Sequence, residues 1–288
     1  MNSGIFFIIA AAVLWGTTGT TQAFAPEGAS PLTIGAFRLL IGGFGLVLVA
    51  IAGRSFTSGA SWNKSHILLG ALSVAAYQVT FFTAVLLTGV AVGTIVAIAS
   101  SPVSAGILGH LILKERLAPK WYVATALAVI GCTVLVLSGG GDISINPLGV
   151  AAALGAGLSY ALYTLFGKLL LDAGHRGNGV VAVMFFGGAL VLLPILFFND
   201  VSWVTTSKGM ITMAHLGILA TTVSYMLFAK GLKTVSVSKT ATLSLAEPLT
   251  AAILGVTILG EKLNLMSATG ILCLFLGIAI LSIETKKK

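Results

Sequence analysis

Long apolar runs recur along the whole chain and are separated by short joins rich in Gly, Pro, Lys and Asn. A transmembrane helix needs about 20 apolar residues, whereas the strands of a membrane barrel show short runs of alternating hydrophobicity. The pattern therefore predicts an all-α polytopic membrane protein with ten transmembrane helices. The predicted spans are 5–24, 32–52, 67–87, 91–113, 121–138, 148–167, 179–198, 210–229, 240–259 and 265–283.

The composition supports a membrane location. Only 8% of the residues are charged and 57% are hydrophobic, whereas a soluble domain carries about 25% charged residues. A soluble fold of this length would expose more surface than so few charges could cover. The composition therefore argues against a soluble enzyme, a nucleic-acid-binding protein and a disordered chain.

The positive charge is unevenly distributed among the joins. The chain has 16 Lys and Arg residues and a net charge of +8. If the N-terminus is cytoplasmic, the inner joins and the C-terminus contain 13 of these residues, the outer joins contain only Lys208 and Lys262, and Arg38 lies within the second span. Because Lys and Arg accumulate in cytoplasmic loops, both termini are predicted to be cytoplasmic. The net charge then reflects membrane topology, and no nucleic-acid partner is required.

The ends of the fourth and ninth spans are similar to each other. Residues 102–117 read PVSAGILGHLILKERL and residues 248–263 read PLTAAILGVTILGEKL, with nine of 16 positions identical. This similarity predicts a duplication into residues 1–140 and 145–288, with five helices each. Because five is an odd number, the second copy is inverted relative to the first. Inverted repeats are typical of secondary transporters, in which the binding site lies near mid-bilayer between the halves.

The repeated motif, together with LWG at 14–16 and PLT at 31–33 followed by Arg38, is similar to a known family. The chain resembles the EamA-type branch of the drug/metabolite transporter superfamily, and within it the YddG-type exporters of aromatic and other neutral amino acids. The resemblance implies a ten-helix exporter of the cell (inner) membrane that works by alternating access. It also implies a central cavity lined mainly by helices 1, 3, 4, 6, 8 and 9.

Two charged residues lie inside predicted spans, Arg38 and Glu247. A charge at a helix centre costs about 2.5–3.5 kcal/mol on the insertion scale, so such residues usually face the bundle interior or a water-filled cavity. Either residue could instead hold helices together. Counting the rise per residue places the two at depths about 10 Å apart, so a salt bridge between them is not assumed.

Two prolines, Pro102 and Pro248, lie near the middle of the fourth and ninth spans at matching positions of the repeat. A proline inside a helix removes one N–H and leaves the carbonyl four residues earlier without its partner. We therefore expect kinks that release the carbonyls of Ile98 and Ser244. These kinks would act as hinges that offer acceptors to a substrate, or would only shape helix packing.

Polar and aromatic residues inside the spans form the candidate lining of the cavity. In the ninth span, Thr240, Ser244 and Glu247 follow at i, i+4 and i+7, which places them on one helix face. Ser and Thr often bond to their own helix backbone, and aromatic residues often serve packing alone, so the set is more informative than its members. The candidate substrate-binding residues are Trp15, Thr18, Tyr77, Gln78, Thr94, Ser100, Ser101, Tyr160, Tyr163, Ser224, Tyr225, Thr240, Ser244 and Glu247.

The combination of aromatic rings, hydroxyls, one acid and few bases predicts the chemistry of the substrate. Phosphorylated substrates would need several bases, whereas a carboxylate among aromatic faces suits an ammonium group. These residues fit both amino acids and the lipophilic cations of a multidrug exporter, and the resemblance favours amino acids. Proton coupling through Glu247, facilitated diffusion and the direction of transport all stay open.

Other classes of function find little support in the sequence. It contains no motif for catalysis, ATP hydrolysis or metal binding, and no cofactor is predicted. A channel and a membrane-embedded enzyme remain as remote alternatives. The expected partners are a small-molecule substrate and the lipid bilayer, with the monomer as the functional unit.

Aromatic residues near the span ends are expected to anchor the protein in the membrane interface. These residues are Trp62, Trp121, Tyr122 and Trp203. Glycines in the second and seventh spans are expected to allow close helix contact.

Overall fold

The computed structural model describes residues 3–57, 61–138, 146–260 and 264–283, except for the side chains of residues 90 and 91. Ten helices in these ranges are long and apolar enough to cross a membrane, which confirms the predicted number of spans. The largest difference from the predicted bounds is in the sixth helix, which continues beyond residue 167. The junction between the predicted halves lies outside the described residues. The helices are α1 (Ser3–Ala23), α2 (Pro31–Ala52), α3 (Lys64–Gly89), α4 (Val92–Leu113), α5 (Pro119–Ser138), α6 (Pro147–Asp172), α7 (Gly177–Phe197), α8 (Ser207–Leu232), α9 (Val237–Thr257) and α10 (Leu265–Ser282).

Short polar side chains begin several of these helices. The side chains of Ser30, Asn63, Asn146 and Asn264 each accept a hydrogen bond from a backbone N–H in the first turn of the helix that follows. Those N–H groups have no partner within the helix, so the caps satisfy them. Proline at the first helical position of α2 and α6 adds a preset φ angle. The polar residues that end these joins therefore cap the helices that follow.

Helix α3 ends at a glycine, and α4 begins three residues later. Gly89 has φ 80° and ψ 164°, a conformation that side-chain-bearing residues rarely adopt. Because the chain reverses at this one residue, α3 and α4 form a tight helical hairpin.

Helix contacts pair the first half of the chain with the second. Helix α1 packs against α8 and the second part of α9, and α6 packs correspondingly against α3 and α4. Helix α2 packs against α7, and α5 packs against α10. Exchanging every helix for the one five places away in the chain leaves this set of contacts unchanged. The fold is therefore two five-helix repeats, which their odd helix number inverts relative to each other.

Close glycine contacts follow the same symmetry. A Cβ added at Gly131 would lie 2.8 Å from the carbonyl oxygen of Gly270, and one added at Gly277 would lie 2.7 Å from that of Ala124. The offset of 146 residues that aligns the repeated motif relates both pairs. The glycines of α2 and α7 do lie at close helix contacts, as expected: a Cβ at Gly43 would lie 2.9 Å from the backbone of α7, and one at Gly188 would lie 2.9 Å from Val74 on α3.

One end of the bundle, called here the basic end, gathers the joins that contain most of the Lys and Arg residues. Basic side chains there donate to backbone carbonyls of neighbouring joins. These bonds run from Arg176 to Gly53 (3.0 Å), from Lys168 to Lys233 (3.1 Å) and from Lys120 to Ile283 (2.9 Å).

The expectation of interfacial anchors is wrong for two of the tryptophans. Trp121 and Trp203 are buried within the protein. The Trp203 ring packs edge-on against Phe37, and the Nε1 of Trp121 donates a hydrogen bond to a backbone carbonyl of α9. Trp62 stacks on His175 at 3.8 Å, and only Tyr122 is largely exposed. Position near a span end therefore did not decide which aromatic rings face lipid.

Candidate functional site

Five predicted aromatic residues from four helices meet in the middle of the bundle. The ring centroids of Trp15 on α1 and Tyr225 on α8 are 5.0 Å apart, and those of Tyr160 and Tyr163 on α6 are also 5.0 Å apart. Tyr77 on α3 lies 6.4 Å from Tyr160, and Tyr163 lies 6.5 Å from Tyr225. These contacts connect all five rings across the boundary between the two halves. They are called the aromatic cluster below.

Phenylalanines extend this cluster and were not among the predicted residues; Phe81 stacks on Tyr77 at 5.8 Å. The ring of Phe185 on α7 lies 3.7 Å from that of Tyr225, and the ring of Phe228 on α8 lies 5.5 Å from that of Trp15. The chain has 15 Phe residues, most of them in apolar spans. Neither Phe185 nor Phe228 has a polar group, and the one signal in the sequence is the 146-residue offset that aligns Phe228 with Phe82.

Two hydrogen bonds hold the cluster to the hydroxyl groups of two predicted site residues. The indole Nε1 of Trp15 donates to Ser224 Oγ at 2.9 Å, which joins the first half to the second. The hydroxyl of Tyr160 donates to Ser244 Oγ at 2.7 Å, which joins α6 to α9. Buried polar groups are costly unless they are bonded, so these contacts fix the orientation of both rings.

Helix α8 contains a π-helical segment immediately before Ser224. The segment is His215–Val223, and it is followed by α-helix from Ser224 to Leu232. The hydroxyl of Thr222 at the end of this segment bonds to the carbonyl of Gly42 on α2 at 3.0 Å. A π segment adds a residue to the turn and occurs often at functional sites. The extra residue rotates Ser224 and Tyr225 about the helix axis relative to the first part of α8.

Helix α9 is interrupted at the cluster. It consists of two α-helical segments, Val237–Leu243 and Ala246–Thr257, with Ser244 and Leu245 between them. Across the interruption the N–H of Ser244 still bonds to the carbonyl of Thr240 at 2.9 Å.

The two prolines lie in different local structures. Pro248 is near the start of the second segment of α9, whereas Pro102 lies inside the uninterrupted α4. The carbonyl of Ser244 accepts the N–H of Glu247 at 2.9 Å. The expectation that Pro248 leaves this carbonyl free is therefore wrong, because the helix restarts there and the shorter bond satisfies it.

The two charged side chains inside the spans do not pair with each other. Glu247 and Arg38 are both half-buried. A Cβ at Gly16, next to Trp15, would lie 2.7 Å from the carbonyl oxygen of Glu247, and a Cβ at Gly35, one turn before Arg38, would lie 2.7 Å from the ring of Phe82 on α3. The side chains of Arg38 and Glu247 form no ion pair, and the Nε of Arg38 is buried without a hydrogen-bond partner. Two oppositely charged side chains therefore lie inside the spans without an ion pair between them.

The remaining candidates have other surroundings. The hydroxyls of Ser100 and Ser101 both donate to the carbonyl of Ala97 in their own helix. The side-chain oxygen of Gln78 lies beside Gly35, at the contact between α2 and α3. Three threonines complete the set: Thr94 is half-buried on α4, and the hydroxyls of Thr18 and Thr240 are buried without a hydrogen-bond partner.

The sequence profile of the EamA-like transporter family matches residues 2–137 and again residues 147–283. The chain therefore belongs to the EamA-like transporter family, and the double match agrees with the two five-helix repeats. A crystal structure with 20% sequence identity has the same fold, with a TM-score of 0.85 over 97% of this chain and 96% of that chain.

Two named proteins are similar to this chain in sequence. The uncharacterized transporter YwfM of Bacillus subtilis (strain 168) is 45% identical over 98% of this chain and 94% of its own length. A probable amino-acid metabolite efflux pump of Salmonella typhimurium (strain LT2) is 25% identical over 60% of this chain and 61% of its own length. Family and fold together define a multi-pass membrane transporter.

Proposed function

We propose that this transporter is a secondary exporter of small amphipathic metabolites, above all amino acids with aromatic or other neutral side chains, and that it works by alternating access. The observation that supports this most directly is the presence, inside the spans, of two oppositely charged side chains that do not pair with each other. Arg38 and Glu247 form no ion pair, and Glu247 lies three residues after Ser244, the partner of Tyr160, with its carbonyl against Gly16 beside Trp15. A zwitterion is the class of ligand that compensates both.

An α-amino acid matches this arrangement in charge and in shape. Its carboxylate accepts parallel N–H bonds from a guanidinium such as that of Arg38. Its ammonium donates to the carboxylate of Glu247, with cation–π attraction from nearby rings. An aromatic or aliphatic side chain packs against Trp15 and its neighbours. The candidate site would thus bind each part of the substrate with a different chemical group.

A lipophilic cation, the substrate of a multidrug exporter with the same fold, matches only part of the site. Glu247 and the aromatic cluster would attract it, but Arg38 would repel it. The relative named as a probable amino-acid metabolite efflux pump adds support for amino acids and for export. We further propose that both termini are cytoplasmic, because the basic end then faces the cytoplasm, and that the monomer functions in the cell (inner) membrane.

Transport by the purified protein in proteoliposomes tests this proposal. The panel contains neutral amino acids, their amides, their N-acetyl derivatives, tetraphenylphosphonium and a nucleotide sugar, each with and without a pH gradient. We expect saturable counterflow of aromatic amino acids and weak transport of the amide and the N-acetyl form, because each lacks one charge. Saturable transport of tetraphenylphosphonium without amino acids would favour the multidrug alternative, and saturable flux of the nucleotide sugar alone would refute the proposal.

A further inference from the structure

The first segment of α9, Val237–Leu243, lies between the candidate site and the basic end of the bundle. All of its residues except Lys239 are buried. Just beyond its last residue the chain reaches Ser244 and then Glu247 of the site. The elements that contact the segment are α1, α5, α6, α8, α10 and the hairpin of α3 and α4. The buried segment therefore occupies the space between the site and the basic end.

Glu115 holds the start of this segment from the opposite half of the chain. Its carboxylate accepts hydrogen bonds from the backbone N–H of Val237 at 2.6 Å and of Ser238 at 3.1 Å. It also accepts the hydroxyl of Ser238 at 2.6 Å. Both N–H groups are in the first turn of the segment, where they have no helical partner and where negative charge is favoured. One side chain thus fixes this segment with three charge-assisted bonds.

The end of α4 directs the Glu115 side chain to this position. Lys114 adopts the left-handed conformation, and the N–H of Glu115 bonds back to the carbonyl of Gly109 at 3.0 Å. This reversal brings the carboxylate against the end of its own helix. A Cβ at Gly109 would lie 2.6 Å from Oε2 of Glu115, so the glycine leaves the space that the carboxylate occupies.

Helix α5 supports the same segment with two further bonds. The Nε1 of Trp121 donates to the carbonyl of Ser238 at 3.1 Å, and the hydroxyls of Thr125 and Thr242 are 2.8 Å apart. These are neutral contacts, whereas those of Glu115 involve a full charge. Bonds to charged groups are the stronger kind, so the Glu115 contact dominates the attachment.

We propose that the first segment of α9 is a gate and that Glu115 is its latch, so that the site opens toward the basic end only when this carboxylate releases the segment. The interruption at Ser244 and Leu245 is the hinge, since the N–H of Leu245 bonds three residues back to Thr242 instead of continuing the α-helical pattern. The inference rests on the proposed alternating access, but it is independent of the substrate.

Cysteine labelling measures the gate without any substrate. In a chain with Cys132→Ser and Cys273→Ser, Thr240→Cys places a reporter on the gate, where the native hydroxyl is buried without a hydrogen-bond partner. A membrane-impermeant thiol reagent is applied to vesicles from the basic end. Losing a bond to a charged group shifts an equilibrium by about tenfold, so Glu115→Gln should raise the labelling rate by about tenfold.

Gly109→Ala is a second, independent variant. Its new Cβ would displace the flexible end of Glu115 without changing the charge, so it should also raise the labelling rate. The matched control is Asp172→Asn, at the same end of the bundle. Asp172 is exposed and pairs only with Lys168 one turn away, a kind of pair that contributes little. Labelling in this control should equal that of the parent.

Thermal unfolding of each variant, followed by tryptophan fluorescence, distinguishes release of the gate from destabilisation of the whole fold. If Glu115→Gln does not fold, the labelling rate of Gly109→Ala tests the latch. Parental labelling rates in a folded latch variant would overturn the inference, as would an equal increase in Asp172→Asn. Raised labelling in a protein that transports no amino acid would support the gate while refuting the proposed substrate.

Discussion

Replacing Arg38 with glutamine separates the zwitterion proposal from its alternatives. The Arg38→Gln substitution removes the positive charge and keeps a planar polar group. In the structure, the Nε of Arg38 is buried without a hydrogen-bond partner, and the side chain forms no ion pair with Glu247. Because an unpaired charge inside the protein is destabilising, we expect the melting temperature of the variant to equal or exceed that of the parent.

The effect on transport should depend on whether the substrate has a carboxylate. A hydrogen bond to a charged group contributes about 1.5–3 kcal/mol, and about 1.4 kcal/mol corresponds to a factor of ten. The KM for an aromatic amino acid should therefore rise about ten- to hundredfold in Arg38→Gln. The KM for the corresponding amino-acid amide should change little or fall, because the amide has no carboxylate and is no longer repelled.

Initial rates of counterflow in proteoliposomes give both KM values, and Glu247→Gln provides the matched control. The ammonium is present in the amino acid and in its amide, so the KM of both should rise in Glu247→Gln. The reasoning would be refuted if Arg38→Gln raised the KM of the amide as much as that of the amino acid. It would also be refuted if the melting temperature fell together with both activities, since Arg38 would then hold the helices together.

Three further predictions follow from the backbone and the charge distribution. Gly131→Ala and Gly277→Ala should each lower the melting temperature to a similar extent, because both push a methyl group into opposing backbone at about 1–3 kcal/mol; a large difference would contradict the equivalence of the repeats. Gly89→Ala should cost about 1–3 kcal/mol through its positive φ alone, since its Cβ would meet open space, and an unchanged melting temperature would contradict this. A cysteine at Arg54 should react with an impermeant reagent only from the cytoplasm and one at Glu27 only from outside; the reverse result would overturn the orientation.

Much of the architecture could be predicted from the sequence because the bilayer imposes it locally. A span must be apolar over the thickness of the hydrocarbon core, so ten spans were visible as ten runs. The repeat was visible because the two motifs at 102–117 and 248–263 retain their spacing. Intramembrane polarity is costly, so Arg38 and Glu247 were visible as candidates.

Only the tertiary structure decided which of these residues meet. Phe185 and Phe228 became part of the aromatic cluster through helix packing, a property that their identity does not reveal. Pro102 and Pro248 occupy different local structures despite matching positions in the repeat, so the motif alone did not determine the helix geometry.

The partner of Glu115 shows the same division between sequence and structure. Its motif was evident as a repeat, but its hydrogen-bond donors are at Val237 and Ser238, far away in the chain. Local hydrophobicity determines where each helix lies along the membrane normal. Contacts between the halves determine which polar groups are left unpaired, and those contacts arise only when the two repeats pack against each other.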